Sequence, residues 1–108
     1  MNEKIIEAKL RDGVRALGGV AYKWSSPGNV GVPDRIVVLP GGAVHFVELK
    51  REDGKPTKMQ QRQLARLWAL GANGCMVYGL RGVETYLMIA REVVESGVST
   101  TRLPEVLY

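Results

Sequence analysis

The residues best suited to chemistry lie on a predicted β-hairpin in the middle of the chain. The second strand of this hairpin ends in Glu48-Leu49-Lys50, and its first strand begins at Asp34. Side chains alternate between the two faces of a strand, so Glu48 and Lys50 emerge on one face and Leu49 emerges on the other. A carboxylate and an ammonium group therefore stand side by side near the end of a strand.

The length of the hairpin loop decides whether Asp34 joins this pair. A two-residue loop, Gly41-Gly42, would pair Asp34 with Leu49 and place its carboxylate on the wrong face. A three-residue loop, Pro40-Gly41-Gly42, with a left-handed last glycine, would pair Asp34 with Glu48 instead. A shared site therefore predicts an odd-length connection, a bulge, or a distortion of the strand at Asp34.

Two carboxylates and an amine at one strand end predict a site for a divalent cation and a phosphate ester. Clustered carboxylates repel one another when both are ionised, so they normally need a cation. Oxygen ligands favour Mg²⁺ or Mn²⁺ over zinc, and Mg²⁺ commonly also binds substrate phosphates. A metal held by Asp34 and Glu48 could activate a water and polarise a scissile phosphate, with Lys50 beside it. The alternative is an ordinary surface salt bridge between Glu48 and Lys50.

The net charge of the chain is concentrated beside this hairpin. The 108 residues carry a formal charge of +4 at pH 7, and the segment from Lys50 to Arg66, with six basic and two acidic residues, accounts for all of it. A positive segment on a neutral body indicates a surface that faces a polyanion, although a solvated helix face would have the same composition. The residues that we predict to contact nucleic acid are Lys23, Ser26, Lys55, Lys58, Arg62 and Arg66.

Other classes of site and location are disfavoured by composition. Cys75 is the single cysteine and His45 the single histidine, so neither an internal disulfide nor a Cys/His zinc site is expected. No stretch approaches the roughly 18 apolar residues of a membrane span, and the segment Met1–Lys4 lacks a signal-peptide pattern. We therefore expect a cytoplasmic protein.

Hydrophobic periodicity and turn residues predict the elements that position these groups. The length suits one domain, residues 1–108, and the order of elements is α-β-β-β-α-β-α. This order predicts an α/β fold with a small mixed β-sheet flanked by helices. The segment from Ser99 to Tyr108 has no predicted structure. The predicted helices are Asn2–Leu17, Thr57–Leu70 and Val83–Glu95, and the predicted strands are Val20–Trp24, Arg35–Leu39, Ala43–Lys50 and Gly74–Gly79.

An ordered set of motifs over roughly residues 3 to 80 resembles a known nuclease family. Asp34, Glu48 and Lys50 resemble the Pro-Asp…(Asp/Glu)-x-Lys signature of the PD-(D/E)XK nucleases. The whole set more closely resembles the stand-alone VRR-NUC domains of bacteriophages. The matching residues are Gly18-Gly19, Lys23, Gly31-Val32-Pro33-Asp34, Val47-Glu48-Leu49-Lys50, Gly54-Lys55-Pro56 and Gln60.

The resemblance implies a restriction-endonuclease-like fold and assigns roles to individual residues. It implies that Asp34 and Glu48, with the carbonyl of Leu49, bind Mg²⁺ or Mn²⁺, and that Lys50 assists the attacking water. Glu7 matches the metal-linked glutamate of the family's first helix, although a solvated glutamate is the alternative. Gln60 matches the family's glutamine after the lysine, but it also fits a capping box with Thr57.

These observations together predict a metal-dependent endodeoxyribonuclease in a bacterial or phage-infected cell. The resemblance further implies a homodimer that acts on branched DNA such as four-way (Holliday) junctions. Two alternatives stay open from sequence: a non-catalytic nucleic-acid-binding module with the same fold, and an RNA-processing nuclease. The basic stripe cannot separate DNA from RNA, because both have the same phosphate backbone.

Overall fold

The computed structural model describes residues 2–108 and consists of one five-stranded sheet with three helices. The strands lie in the order β1-β2-β3-β4-β5; β1, β2 and β3 are antiparallel, and β3, β4 and β5 are parallel. The predicted mixed α/β architecture is confirmed. The helices are α1 (Glu3–Ala16), α2 (Lys58–Ala69) and α3 (Gly79–Ser96), and the strands are β1 (Val20–Lys23), β2 (Arg35–Val38), β3 (Val44–Lys50), β4 (Asn73–Tyr78) and β5 (Val106–Leu107).

Helices α1 and α3 pack together and cover one face of the sheet. The side chain of Asn2 caps α1 by accepting from the backbone N–H of Ile5, and the buried residues Ile6, Leu10 and Val14 recur at helical spacing. They join buried residues of every strand in one core. Because the first turn of α1 reaches the carboxyl end of β3, this helix also borders the predicted site.

The hairpin between β2 and β3 has the register that the site requires. Val38 pairs with Val44, and the backbone N–H of Leu39 donates to the carbonyl of Ala43 at 2.9 Å, which leaves a three-residue loop. Both glycines of this loop have positive φ, so the prediction of an odd-length Pro40-Gly41-Gly42 connection is confirmed.

Helix α2 crosses from β3 to β4 on the face opposite α1 and α3. Thr57 caps it through a full capping box, and Gly71 follows its last turn with a φ of +82°. Leu64 is buried beneath the helix, and Trp68 Nε1 donates to the carbonyl of Gly74 at 2.8 Å. The tryptophan therefore anchors the helix to β4.

Two features at the carboxyl end of the chain differ from the sequence prediction. Helix α3 begins at Gly79, directly after β4, rather than at Val83. Gly79 has a φ of +67°, and a Cβ on Gly82 would lie 3.0 Å from the carbonyl oxygen of Leu107, so Gly82 allows the helix to pack closely on β5. The segment after Ser99 contains β5, which pairs with Met76 and Val77 of β4. So short a strand has no periodic signal of its own.

Within the described residues, no helix combines the length and the apolar character that a bilayer crossing requires.

Candidate active site

A cavity of about 200 Å³ opens at the carboxyl end of β3 and brings the predicted catalytic residues together. Elements that are distant in sequence meet there: the first turns of α1, the start of β2, the end of β3 and the first turn of α2. The structure thus unites all six residues that we predicted for catalysis or metal binding. The lining residues are Glu3, Ile6, Glu7, Asp34, Glu48, Leu49, Lys50 and Gln60.

Asp34 is held at the mouth of the hairpin by backbone contacts from both neighbouring strands. Its Oδ2 accepts a hydrogen bond from the backbone N–H of Leu49 at 3.0 Å, and its own carbonyl accepts from the N–H of Trp24 at 2.9 Å. Extending the register of β2 and β3 by one position places Asp34 opposite Glu48. The two carboxylates therefore share one face of the sheet.

Glu48 is a buried and only partly satisfied carboxyl group. Its side chain is 2% exposed, and its Oε2 accepts from Gln60 Nε2 at 3.2 Å. Its Oε1 has no hydrogen-bond partner among residues 2–108. Burial, reinforced by the charge of Asp34, raises the pKa of Glu48 to about 8, and the nearby Lys50 offsets only part of this effect. A cation beside the pair would stabilise its ionised form.

The donors in the cavity fit a hard divalent cation. Two carboxylates, one with a free oxygen, and the adjacent Leu49 carbonyl form the oxygen-rich set that Mg²⁺ and Mn²⁺ prefer. Residues 2–108 contain no cluster of three or more His, Cys, Asp or Glu side chains arranged to hold a metal, so the carbonyl and solvent would have to complete the set. Glu7 is half-buried in the same cavity, and its part as a ligand stays a prediction.

Gln60 serves the helix cap and the site at once. Its Oε1 accepts from the backbone N–H of Thr57 at 2.9 Å, which closes the capping box. Its Nε2 donates to Glu48 from the other end of the same amide. Capping and a position in the cavity are therefore compatible, because one amide carries both an acceptor and a donor. The catalytic role of Gln60 stays a prediction.

Comparisons with known proteins show which family the chain resembles. "Putative nuclease p44" of Acyrthosiphon pisum secondary endosymbiont phage 1 is 54% identical to this chain over 71 residues, which is 66% of this chain and 76% of that protein. A solved structure titled "VRR_NUC domain" superposes with a TM-score of 0.75 at 34% identity, covering 80% of this chain and 94% of that one. The chain belongs to the VRR-NUC family. No protein-family model matches the sequence. The VRR-NUC fold and the phage relative identify this chain as a nuclease.

None of the residues that we predicted to contact nucleic acid lines the cavity of this VRR-NUC nuclease. Lys55 precedes α2, and Lys58, Arg62 and Arg66 follow its outer surface. All four are exposed, and none forms an ion pair with residues 2–108. Their binding role stays a prediction. Lys23 ends β1 and is exposed, and Ser26 lies in the loop after it, where its Oγ accepts from Asn29.

Two lining residues, Glu3 and the apolar Ile6, were not selected as site residues from the sequence. Glu3 borders the cavity one helical turn before Glu7, because α1 begins at Glu3 and presents both side chains to the end of β3. Their spacing of four residues was the available signal. Glu3 is exposed whereas Glu7 is half-buried, so the two glutamates differ in access to solvent.

Gly31 of the Gly-Val-Pro-Asp motif permits close contact between the Asp34 loop and α2. Its φ is +88°, and a Cβ at this position would lie 2.6 Å from the backbone carbon of Met59 and 2.8 Å from the backbone nitrogen of Gln60. Backbone atoms cannot rotate away as a flexible side chain can. The glycine therefore sets the distance between the loop that carries Asp34 and the helix turn that carries Gln60.

We expect Gly31→Ala to destabilise the protein by about 2–4 kcal/mol, because two costs add: the strain of an alanine at positive φ and the clash of its Cβ with the backbone of α2. Gly28→Ala is a matched control: its φ is +81°, but nothing lies within 4 Å of its added Cβ, so it should cost only about 1 kcal/mol. Urea unfolding measures both free energies. Equal losses for the two variants would contradict a close-packing role for Gly31.

We expect Gln60→Glu to distinguish the capping role of Gln60 from its role beside Glu48. Glutamate preserves the capping box at this position, but a third carboxylate beside the buried Glu48 should lower the free energy of unfolding in EDTA by about 1–3 kcal/mol. It also removes the donor to Glu48 and adds a third carboxylate, so cleavage should fall by about 10–100-fold. Thr57→Ala is the reciprocal control and should lose about 1 kcal/mol of stability with cleavage retained. Full activity of Gln60→Glu would restrict Gln60 to capping.

Proposed function

We propose that this VRR-NUC nuclease is a Mg²⁺- or Mn²⁺-dependent endodeoxyribonuclease that hydrolyses internal phosphodiester bonds of DNA. The observation that carries the proposal is the carboxylate pair beside Lys50: Asp34 is half-buried, and Glu48 is buried with one oxygen that has no partner among residues 2–108. An uncompensated buried carboxylate destabilises the fold. Its presence is explained if a divalent cation binds the pair during catalysis.

The cation would be held by Asp34, Glu48 and the carbonyl of Leu49, with Glu7 as the further candidate. Bound there, it would supply charge neutralisation and a lowered pKa for the attacking water. The fixed contacts of Asp34 with Leu49 and of Glu48 with Gln60 hold both carboxylates in place before any substrate arrives. The chain itself therefore contributes preorganisation, which reduces the reorganisation needed at the moment of reaction.

Lys50 would act on the reacting groups themselves, and Gln60 would act through Glu48. The Lys50 ammonium, on the same face as Glu48, would orient the attacking water and offset negative charge on the scissile phosphate. Gln60 would keep the Glu48 carboxylate turned toward the cavity through its amide hydrogen bond. Lys55, Lys58, Arg62 and Arg66 would bind flanking phosphates, so binding should weaken as salt rises.

For the substrate and the assembly, we propose branched DNA such as four-way (Holliday) junctions, bound by a homodimer. The proposal is supported by the family resemblance and by the small size of the basic surface. Two copies related by a two-fold axis would present two sites to a symmetric junction. They would also double the number of phosphate contacts on one substrate.

A substrate panel tests this proposal. Purified protein is incubated with a four-way DNA junction, a linear DNA duplex of the same arms, and the corresponding RNA duplex, each with Mg²⁺, Mn²⁺ or EDTA. We expect cleavage of the junction with either metal, weaker cleavage of the linear DNA, and none in EDTA. Binding without cleavage would support a non-catalytic module, and preferential RNA cleavage would support an RNA-processing nuclease.

A further inference from the structure

The carboxyl ends of three parallel strands lie side by side at the edge of the sheet that holds the active site. β3 ends at Lys50, whose partner in the register is Tyr78 at the end of β4. β5 pairs Leu107 with Val77, so Tyr108 follows next to Tyr78. Because neighbouring strands are about 4.8 Å apart, the backbone of Tyr108 lies about 10 Å from that of Lys50.

Tyr78 and Tyr108 form a stacked aromatic pair at this edge. Their ring centroids are 5.3 Å apart, with an angle of 14° between the ring planes. The Oη of Tyr78 donates to Met76 Sδ at 3.1 Å, which fixes the inner ring. Tyr108 is 75% exposed, so the pair presents a large aromatic surface to solvent.

An apolar groove of about 390 Å³ adjoins the pair between α2 and the last two strands. Its walls include Leu64, Ala65 and Trp68 from α2, and Met76 and Val106 from the sheet. Pro56 and Gln61 also line the groove, and the exposed Lys55 and Lys58 lie close to them along the chain, directly before Pro56 and one helical turn before Gln61. An aromatic and apolar surface bordered by unpaired cations matches a nucleotide, which combines a flat base with a charged phosphate.

Resting on the proposed function, we propose that the Tyr78–Tyr108 pair is a stacking platform for an unpaired base close to the scissile phosphate. A phosphate at Lys50 would place neighbouring nucleotides of the same strand within reach of Tyr108, with Lys55 in the intervening loop to bind a backbone phosphate. Only a base outside the double-helical stack exposes a face to a tyrosine ring. The platform would therefore favour strands with unpaired nucleotides, such as those at a branch point.

Aminopurine fluorescence tests the platform without any cleavage. Single-stranded DNA that carries one fluorescent aminopurine base at successive positions is titrated with the protein in EDTA. We expect fluorescence quenching on binding at one or two adjacent positions, and Tyr108→Ala should abolish this quenching and weaken binding at least about fivefold. Tyr108→Phe keeps a ring and should bind and quench like the wild type.

Tyr22→Ala is the matched control, because Tyr22 is also an exposed tyrosine, 59% accessible, on the distant strand β1. It should leave both quenching and affinity unchanged. If Tyr108 served only to pin β5, Tyr108→Ala would lower the melting temperature while quenching and affinity stayed at wild-type values, and the platform would be overturned. Quenching that persists in Tyr108→Ala would overturn it too.

Failure of the stacking platform can be distinguished from failure of the proposed nuclease activity. Quenching that depends on Tyr108 in a protein that never cleaves DNA would support the platform and contradict the nuclease activity. Metal-dependent cleavage with no position-specific quenching would support the activity and contradict the platform.

Discussion

Replacement of Lys50 by alanine is expected to reduce DNA cleavage by about 10³-fold while the protein remains folded and bound to DNA. The lysine lies in the cavity on the face of β3 that carries Glu48, and its side chain makes no ion pair with residues 2–108. Removing it breaks no ion pair among these residues, although it also removes a charge that partly offsets the burial of Glu48, so we expect a small loss of stability with the fold retained. Its loss would remove the positive charge that orients the attacking water and offsets phosphate charge.

Two further variants separate chemistry from charge. Lys50→Arg keeps the positive charge but replaces a compact ammonium with a larger planar group. We therefore expect it to bind DNA like the wild type but to cleave at less than about a tenth of the wild-type rate. Lys4→Ala removes an exposed lysine of α1 that does not line the cavity, and it should cleave like the wild type. Single-turnover rates at saturating protein provide the comparison. Unchanged cleavage by Lys50→Ala would remove Lys50 from the mechanism.

Glu48→Gln is expected to stabilise the metal-free protein and inactivate the enzyme. The native carboxyl is buried, has one oxygen without a partner, and lies beside the second carboxylate, Asp34. A neutral amide of the same shape removes the repulsion and the cost of burying a charge, so the free energy of unfolding in EDTA should rise by about 2 kcal/mol. The cleavage rate should fall by about 10³-fold, because a cation ligand is lost.

Added Mn²⁺ provides an internal check on this variant. A ligand that binds only the folded state raises the melting temperature, so Mn²⁺ should stabilise the wild type and leave Glu48→Gln nearly unaffected. Glu92→Gln changes the same charge at an exposed position of α3 and should behave like the wild type in both measurements. A destabilised Glu48→Gln that responds normally to Mn²⁺ would show that Glu48 has a structural role instead.

The hairpin shows how far local sequence can determine a site. The spacing of Asp34, Glu48 and Lys50 required a particular register, and the two loop glycines supply the positive φ that this register needs. The cap of α2 was equally predictable, because Thr57 and Gln60 have the capping-box spacing. In both cases the deciding interactions lie within a few residues of each other.

Other features depended on contacts between distant parts of the chain. A functional role for Gln60 could be weighed from sequence against capping, but its hydrogen bond to Glu48, made while the cap is kept, depends on how α2 sits over β3. The strand β5 exists only through pairing with β4, so neither it nor the stacking of Tyr78 on Tyr108 had a local signal. The start of α3 was placed four residues too late, because Gly79 and Gly82 are poor helix formers whose places in the helix depend on a positive φ at Gly79 and on close packing of Gly82 against Leu107.

Calorimetric titration of the purified protein with Mn²⁺ measures directly whether Asp34 and Glu48 bind a divalent cation. We expect saturable Mn²⁺ binding by the wild type, a loss of at least about tenfold in affinity for Asp34→Asn and for Glu48→Gln, and retained binding by Lys50→Ala. Wild-type affinity in both carboxylate variants, or DNA cleavage by a wild type that binds no divalent cation, would contradict this expectation.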